Sequence, residues 1–288
     1  MELADRMKLY EQIGAGQRLI PNLPVCIRLD GKAFHQWTRG LRRPYDDRLH
    51  TLFDDTTKFL VEASDAVVGY TQSDEITLIL SNGGKPDAQV FFDGRVSKLT
   101  SVLASMATAK FNALVSSILP EKHNRQAFFD CRVWTVPSEQ EAVNCLIWRE
   151  LDATRNSIQM AAQALYSHKQ LHQKNTSQMR EMLRQKGINW HDYPPRFTRG
   201  GYFQRRVMAR KFTVEELAQL PPLHDARQNP DLMVTRQVIA PLELPPLLHV
   251  GNRVEVMFRG CTPEPITEPR QATSLAAEVQ ARGGRPRA

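Results

Sequence analysis

The chain has few of the features that mark membrane-spanning, disulfide-stapled or zinc-binding proteins. Of its 288 residues only four are cysteine (Cys26, Cys131, Cys145 and Cys261), and no two of them form a Cys-x-x-Cys pair. A zinc site or a disulfide framework is therefore not expected, and buried free thiols are the usual explanation for cysteines in apolar runs. No stretch approaches the roughly 20 apolar residues that a membrane-spanning helix needs.

The sequence also has no recognisable targeting segment. Residues 1–12, MELADRMKLYEQ, are polar and mixed in charge, which is typical of neither a signal peptide nor a transit peptide. We find no internal repeat and no Ser, Cys or His triad. These observations predict a cytoplasmic protein without a membrane association.

What the chain does have is an excess of basic charge, with a formal net charge of +7 in an otherwise ordinary globular composition of 41% hydrophobic residues. Such an excess favours polyanionic partners through phosphate contacts and counterion release. Spare surface lysines and arginines would give the same total, so charge alone leaves both interpretations open.

Strand and helix patterns alternate regularly through the first half of the chain. Alternating apolar residues predict strands and three- and four-residue repeats predict helices. In chain order these are strand 25–30, helix 46–64, strands 66–71 and 76–80, helix 97–119 and strand 128–136. The order β-α-β-β-α-β predicts an α+β fold of the ferredoxin-like, palm type, with helices on one face and the other face free for substrate.

The rest of the chain reads as additions to this core. Ser138 and Glu141 form a capping-box pattern that opens a further helix, and residues 139–185 are largely helical in period. Residues 186–260 are predicted to be irregular, basic and proline-rich, and 87–94 to add an edge hairpin. The predicted division is a catalytic core over 1–136, a helical and irregular basic extension over 137–260, and a disordered tail over 261–288.

Three acidic residues lie where the first strand and the central hairpin should meet. Asp30 ends the first strand, and Asp74 and Glu75 form the hairpin tip. Carboxylates brought together repel each other unless a cation lies between them, and a hard divalent ion such as Mg²⁺ prefers oxygen ligands. The alternative is that Asp30-Gly31 is only a turn. The placement on adjoining strand ends favours a metal-dependent phosphoryl-transfer centre.

Four blocks of sequence carry a resemblance to a known family. They are RLDGKAFHQWT (28–38), GYTQSDEITLIL (69–80), FFDCRVWTVPSEQEAVNCLIWRELDATRNSI (128–158) and KNTSQMREMLRQKGINWHDYPPRFTRGGYF (174–203). In this order and spacing they resemble the tRNA(His) guanylyltransferase family and its tRNA-repair relatives, the 3′–5′ polymerases. The resemblance covers about residues 5–205 and fades beyond about residue 210.

The resemblance implies roles for particular residues. Asp30 and Asp74 would bind two Mg²⁺ ions through their carboxylates and Gly31 through its carbonyl, with Glu75 a catalytic acid of the same centre. Nucleotide would contact these two aspartates, the loop residues Gly31, Lys32, Ala33, Phe34 and His35, and also Arg43, Ser73, Arg95 and Lys98. Contacts to tRNA would come from Asp152, Asn156, Lys174, Asn189, Arg199 and Arg205. His35 as a surface imidazole, and Arg95 and Lys98 as a solvated helix start, are the alternatives.

The implied activity is addition of nucleotides to the 5′ end of tRNA. ATP would activate the 5′-phosphate, and the 3′-hydroxyl of GTP or another NTP would attack it, within a homotetramer built as a dimer of dimers. One departure concerns residues 148–157, Trp-Arg-Glu-Leu-Asp-Ala-Thr-Arg-Asn-Ser, which correspond to a stretch where the tRNA(His)-specific enzymes of eukaryotes carry a His-Ile-Asn-Asn run. Asp152 and Asn156 are retained there, and the histidine is absent. The missing histidine favours template-dependent end repair.

The basic segment 184–211 interleaves cations with aromatic residues, a pattern that suits phosphate contact and base stacking. A solvated face over core aromatics is the alternative interpretation of that segment. Two other functions are compatible with parts of the sequence. A palm-domain nucleotide cyclase would use the same carboxylates, and a non-catalytic RNA-binding module would use only the basic segment.

Overall fold

A single antiparallel sheet organises the part of the chain that the structure describes. The structure is a computed structural model that describes residues 1–83, 91–229 and 231–266. Within these ranges six strands pair in the order β4-β1-β3-β2-β5-β6. They are β1 (Val25–Gly31), β2 (Val68–Gln72), β3 (Glu75–Leu80), β4 (Phe129–Thr135), β5 (Gly201–Lys211) and β6 (Met233–Leu242).

The helices of the described ranges differ widely in length. Three are long and pack on the sheet, whereas several of the others are single turns. They are α1 (Leu3–Ala15), α2 (Phe34–Trp37), α3 (Asp47–Ala63), α4 (Val96–Ile118), α5 (Glu139–Gln163), α6 (His168–Leu171), α7 (Thr176–Arg184), α8 (Pro195–Thr198), α9 (Val214–Gln219), α10 (Asp225–Gln228) and α11 (Arg253–Arg259). None of the helices in these ranges is both long and apolar enough to cross a membrane.

The predicted β-α-β-β-α-β core is confirmed. It consists of β1, α3, β2, β3, α4 and β4, and its strands stand in the order β4-β1-β3-β2. Side-chain caps define where two of the helices begin: Asp46 accepts a hydrogen bond from the Arg48 amide at 3.1 Å, and Ser138 accepts one from the Glu141 amide at 3.2 Å. Each cap satisfies an amide that the first turn of a helix leaves free.

Both faces of the sheet are covered, which corrects the expectation of a free second face. On one face Val25, Ile27 and Leu29 of β1 pack with α3 and α4 in a buried apolar cluster. The alternate positions, such as Cys26, point the other way and are buried under α5 and α11. Because successive strand residues point to opposite faces, an apolar residue at an alternate position needs a cover of its own.

The prediction of irregular structure over 186–260 was wrong in part, because this range contains β5 and β6. Only the first part of β5 continues the sheet: residues 201–204 pair with β2, while the whole of β5 from Tyr202 onward pairs with β6. The outer part of this hairpin is largely exposed. An exposed two-stranded ribbon has no buried face to impose an apolar alternation, so its sequence carries little strand signal.

Two other predictions fall mainly on residues that lie outside the described ranges. Of the predicted edge hairpin 87–94, only Phe91–Gly94 is described, and it forms a 3₁₀ turn leading into α4. Of the predicted disordered tail 261–288, only 261–266 is described, and Pro265 makes an isolated bridge to Val250.

A partly buried histidine on α3 makes the stability of the fold dependent on pH. The His50 ring stacks on Tyr45 with the ring centroids 5.5 Å apart. Its side chain is only 14% exposed, and its Nδ1 lies 4.0 Å from an Asp47 carboxylate oxygen. Burial, reinforced by the charge of Arg196 and opposed by that of Asp46, lowers the pKa of His50 from its ordinary value to about 3.

We expect His50→Phe to flatten the pH dependence of stability. The folded pKa is below the unfolded one, so the unfolded chain binds one more proton between about pH 3 and 6.5, and stability is lost as pH falls through that window. The wild-type free energy of unfolding should therefore fall by about 1.4 kcal/mol per pH unit relative to the variant. Urea unfolding of both proteins at pH 5 and pH 7 measures the difference, and parallel profiles would contradict it.

Candidate active site

The register of β1 brings the predicted acidic residues together. Asp30 stands opposite Glu75 on β3 and opposite Asp130 on β4. The Gly31 amide donates a hydrogen bond of 2.9 Å to the Asp74 carbonyl, which joins the end of β1 to the hairpin tip. The expectation that Asp30 and Asp74 lie on adjoining strand ends is thus confirmed.

The two aspartates form an electrostatically strained pair. Burial, and then the charge of Asp30, raise the pKa of Asp74 above its ordinary value. The Asp30 side chain is 35% exposed, and the nearest cation is the Arg28 guanidinium at 3.9 Å. Two hard oxygen donors that repel each other at an open strand end are suited to a divalent cation.

The two aspartates supply few ligands by themselves. Among the described residues no group of three or more His, Cys, Asp or Glu side chains is placed to hold a metal ion. Mg²⁺ retains waters and is usually held by one or two carboxylates together with substrate phosphates. A divalent ion at this strand end would therefore need ligands from substrate or water besides the two carboxylates.

Glu75 lies in the same row but is already occupied. Its Oε1 accepts 2.6 Å from Arg149 Nε and its Oε2 accepts 2.7 Å from Arg149 Nη2. Arg28 Nε lies 3.1 Å from the same Oε2. Burial raises the pKa of Glu75 as well, but the charges of Arg149 and Arg28 oppose this, so Glu75 has a different environment from the two aspartates.

The loop after β1 is shaped by one aromatic side chain. Phe34 is buried between Trp37, Phe53, Phe111 and Phe129. A Cβ atom built on Gly31 would lie 2.2 Å from the Phe34 ring, so glycine is required there. Phe34 therefore shapes the loop from the core, and of the predicted nucleotide-binding side chains in this loop Lys32 and His35 are exposed.

Ala33 and Ser73 hold unusual backbone conformations beside the centre. Ala33 has φ +54° where the loop enters α2, and Ser73 has φ +48° in the turn between β2 and β3. The left-handed region is costly for residues with a Cβ, and such strain is frequent in ligand-binding loops. Arg43 is exposed in the segment between α2 and α3.

Arg95 and Lys98 are not brought to this centre within one chain. They lie at the start of α4, where the backbone of Arg95 forms an isolated β-bridge with that of Arg18. Leu99, in the next turn of α4, lines a pocket together with Val25 and Leu80. Val25 and Gly31 are the two ends of β1, and six strand residues span about 20 Å. The two cations thus lie at the opposite end of the sheet from Asp30.

The predicted tRNA-binding residues of the helical region differ in how many contacts their side chains make within the chain. Lys174 is exposed after α6. Asp152 accepts hydrogen bonds from Arg149 at 2.8 Å and from Asn156 at 3.4 Å, and also pairs with Arg155. Asn189 accepts from the His191 amide at 3.3 Å and donates to Asp192 at 2.9 Å, so it caps a turn.

Arg199 and Arg205, both predicted tRNA contacts, make hydrogen bonds within the chain. Arg199 donates to the Leu244 carbonyl at 3.2 Å and lies 3.5 Å from the Glu150 carboxylate. Arg205 donates to the carbonyls of Val61 at 2.5 Å, Glu62 at 3.1 Å and Ala66 at 3.2 Å, at the end of α3. A guanidinium there satisfies free carbonyls and complements the helix dipole.

The aromatic residues of the basic segment are mostly in the core. Trp190, Phe197, Tyr202 and Phe203 are each less than 9% exposed, so they are not available for base stacking. The alternative interpretation of that segment, core aromatics beneath a solvated face, is the one that holds for these four side chains.

The sequence interpretation missed two arginines that contact the acids of this centre. Arg28 interrupts an otherwise apolar strand, and Arg149 occupies a helical repeat of buried positions with Ala142, Cys145 and Ala153. That spacing could have revealed Arg149, because a buried arginine requires an acidic partner. No sequence rule would have named Glu75 as that partner across 74 residues of chain.

The comparisons with known proteins agree with this geometry. The family model described as tRNAHis guanylyltransferase (Thg1) matches residues 4–137. The tRNA(His) guanylyltransferase of Saccharomyces cerevisiae is 26% identical over 206 residues, covering 65% of this chain and 85% of the yeast protein.

Two solved structures extend the likeness over most of the chain. A bacterial Thg1-like protein in complex with ATP is 39% identical, with a TM-score of 0.67, and the match covers 71% of this chain and 87% of that one. A bacterial Thg1-like protein in complex with GTP is 31% identical, with a TM-score of 0.64, over 85% of this chain and 93% of that one.

The fold and the placement of the two aspartates define a palm-type domain. The chain belongs to the tRNA(His) guanylyltransferase (Thg1) family, and it is therefore an enzyme of the nucleotidyltransferase class.

We expect Arg205→Met to destabilise the fold. The change leaves the last carbonyls of α3 without their donor, at a cost of about 1–3 kcal/mol. Urea unfolding measures it, and Arg184→Met, which removes an exposed arginine that pairs with Glu181 at 3.4 Å, is the matched control. Equal stability of the two variants would mean that Arg205 is a surface cation after all.

Proposed function

We propose that this protein is a magnesium-dependent tRNA nucleotidyltransferase that adds GTP or template-matched nucleotides to the tRNA 5′ end, in the 3′–5′ direction. The observation that carries the proposal is the pair Asp30 and Asp74 on joined strand ends, with the pKa of Asp74 raised by burial and by its neighbour. Membership of the family supplies the substrate class, and the ATP and GTP complexes of the bacterial Thg1-like proteins support nucleotide binding.

The residues that would hold two Mg²⁺ ions are Asp30 and Asp74 through their carboxylates and Gly31 through its carbonyl. Bound there, the ions would neutralise phosphate charge and orient the reacting oxygens. The loop from Gly31 to His35 and the turn at Ser73 would hold the nucleotide, mainly through backbone groups and the exposed Lys32. Glu75 remains in this centre as a neighbour that Arg149 and Arg28 neutralise.

The proposed reaction is in-line displacement at phosphorus. ATP adenylylates the tRNA 5′-monophosphate and releases pyrophosphate, and the 3′-hydroxyl of the incoming NTP then displaces AMP from that phosphate. A 5′-triphosphate end reacts directly and loses pyrophosphate. In such chemistry a protein contributes position and charge neutralisation, which is consistent with a centre built from carboxylates, backbone groups and cations.

We propose that RNA docks on the exposed cations around α6 and α7. Lys174, Arg184 and Lys186 face solvent there, and Asp152 and Asn156 of α5 lie between this region and the acidic centre along the helix. This surface replaces the larger basic segment of the sequence prediction, because Arg199 and Arg205 are engaged within the chain.

We also propose that the enzyme self-associates, as the predicted homotetramer requires. Helix α1 has 13 residues and none of them is buried, while Leu3, Met7, Tyr10 and Ile13 are each at least 47% exposed. An isolated helix of this length is marginal in water, so a second copy packed on α1 would stabilise it. The cytoplasmic location stays a prediction.

We expect Asp30→Asn and Asp74→Asn to abolish nucleotide addition while the protein stays folded. Each change keeps the shape of the side chain and removes the charge that would attract the cation, and loss of a carboxylate ligand should lower turnover at least about 1000-fold. Incorporation of labelled GTP into tRNA in Mg²⁺ measures turnover, with thermal unfolding as the control for folding.

The outcome of this assay distinguishes the alternatives. Full activity in a folded Asp74→Asn variant would refute the proposed centre. Conversion of an NTP to a cyclic nucleotide without any RNA would identify a cyclase. RNA binding with no turnover in the wild type would identify a non-catalytic module.

We expect the choice of nucleotide to follow a template. Residues 148–158 lack the histidine that the tRNA(His)-specific enzymes carry, and pairing to the opposite strand can align the incoming 3′-hydroxyl without any reading of the base by the protein. A tRNA lacking its first nucleotide should therefore accept whichever NTP pairs with the opposing base. The measurement is incorporation of each labelled NTP at ends in which that base is varied through all four identities.

The matched control for this assay is intact tRNA(His). Addition of GTP alone, whatever the opposing base, would show a dedicated guanylyltransferase and would contradict the template proposal without affecting the proposed metal centre.

A further inference from the structure

We propose that Arg149 is a positioning residue for the acidic centre, holding Glu75 and through it the neighbouring Asp74 in place. The proposal rests on the proposed function for the metal-binding role of Asp74, and it assigns Arg149 no contact with substrate.

The contact between Arg149 and Glu75 is a buried fork. Both side chains are at most 5% exposed, and two parallel hydrogen bonds of 2.6 and 2.7 Å join them. Burial lowers the pKa of Arg149, but the charges of Glu75 and Asp152 and their hydrogen bonds offset this and leave its pKa above the ordinary value. Only a planar guanidinium provides this bidentate geometry, so lysine cannot replace it.

The fork belongs to a chain of alternating charges on one face of the sheet. Arg28 lies 3.9 Å from Asp30 and 3.1 Å from Glu75. Arg149 then joins Glu75 to Asp152, with a hydrogen bond of 2.8 Å to the latter. The chain thus runs from the metal-binding strand end, through the hairpin, to α5.

The fork is one of several supports of Asp74, whose carboxylate also accepts hydrogen bonds from the Ser73 side chain and from its own backbone amide. Asp74 lies between Ser73, with φ +48°, and Glu75, and its own carbonyl is held by the Gly31 amide. Fixing the Glu75 side chain fixes the residue that follows the tip, and the turn can then present the Asp74 carboxylate in one direction. Partners outside a metal's ligand set commonly control affinity in this way.

Loss of Arg149 would also weaken cation binding through its effect on Glu75. Glu75 would become a buried carboxylate with one cation fewer, close to Asp30 and Asp74. A carboxylate freed from its bidentate partner can turn towards the metal position. That movement would disturb the geometry that the two aspartates offer to a cation.

Three variants test the proposal. Arg149→Met removes the fork, Arg149→Lys keeps the charge without the fork, and Arg155→Met is the matched control on the same helix. Arg155 pairs with Asp152 but has no contact with Glu75, so the control separates the two carboxylates that Arg149 bridges.

The first measurement is binding of Mn²⁺, as a paramagnetic substitute for Mg²⁺, by electron paramagnetic resonance in the presence of a non-hydrolysable ATP analogue. Both Arg149 variants should bind Mn²⁺ about 10- to 100-fold more weakly, and Arg155→Met should stay within about twofold of the wild type. Turnover should fall by a similar factor in the Arg149 variants, while the KM for tRNA changes little, because the docking surface is untouched.

The second measurement needs no metal. Amide hydrogen exchange of the metal-free proteins should be faster over the hairpin tip, residues 72–75, in both Arg149 variants than in Arg155→Met. An anchored tip opens rarely, so exchange there reports the loss of the anchor itself.

Wild-type Mn²⁺ affinity together with unchanged exchange at the tip in a folded Arg149→Lys would overturn the proposal. If Arg149→Met does not fold, the double variant Glu75→Gln, Arg149→Gln takes its place, since it removes both buried charges. It should fold and still bind Mn²⁺ weakly, and wild-type affinity there would equally refute the positioning role. The variant Asp74→Asn distinguishes the failure of this proposal from the failure of the proposed metal centre. Normal Mn²⁺ binding by Asp74→Asn would refute the metal centre. Loss of Mn²⁺ binding in Asp74→Asn but not in the Arg149 variants would refute only the positioning role of Arg149.

Discussion

The architecture around the acidic centre depends on the ion pair between Arg149 and Glu75. Two charges with almost no solvent contact are tolerated only when they satisfy each other, and removing one partner of such a pair typically costs about 3–5 kcal/mol. Arg149 belongs to α5 and Glu75 to β3, so the pair fixes the second helical layer against the sheet. The same contact determines which carboxylates near the strand end remain free for a cation.

The division of labour among the acids follows from their cationic neighbours. Glu75 faces two guanidinium groups and is neutralised by them. Asp74 has burial and the charge of Asp30 against it, which raises its pKa. An incoming divalent cation would therefore gain more from the aspartates than from Glu75. Three acids adjacent in sequence or register thus differ in their electrostatic surroundings.

Some arginines of this chain make hydrogen bonds within the protein and others are exposed to solvent, and the net charge does not distinguish the two kinds. Arg199 and Arg205 donate to backbone carbonyls of neighbouring segments, whereas Arg184 is exposed near α7. All three contribute equally to a basic composition. The basic charge of the segment 184–211 is therefore a poor measure of the area that could meet a phosphate backbone, since part of it stabilises the protein itself.

The fold of the core could be predicted from the sequence because it follows from short-range patterns. The alternation of Val25, Ile27 and Leu29 and the helical period of α3 are short-range patterns, and the caps at Asp46 and Ser138 are formed within three residues. The adjacency of Asp30 and Asp74 then follows from the ferredoxin-like strand order. The proposed metal site was within reach for that reason, as were the bounds of the four core strands.

The sequence by itself determined the core fold, the pair of aspartates at its strand ends and, through its motif blocks, the family. Only the tertiary structure decided that Glu75 pairs with Arg149, that Arg199 and Arg205 donate hydrogen bonds to carbonyls of their own chain, that β5 and β6 extend the sheet, and that Arg95 and Lys98 lie at its far end. The physical reason is the separation along the sequence of the residues that interact. Hydrophobic periodicity and helix capping depend on residues close together in the sequence, whereas the partner of a buried charge depends on packing between segments far apart in the chain.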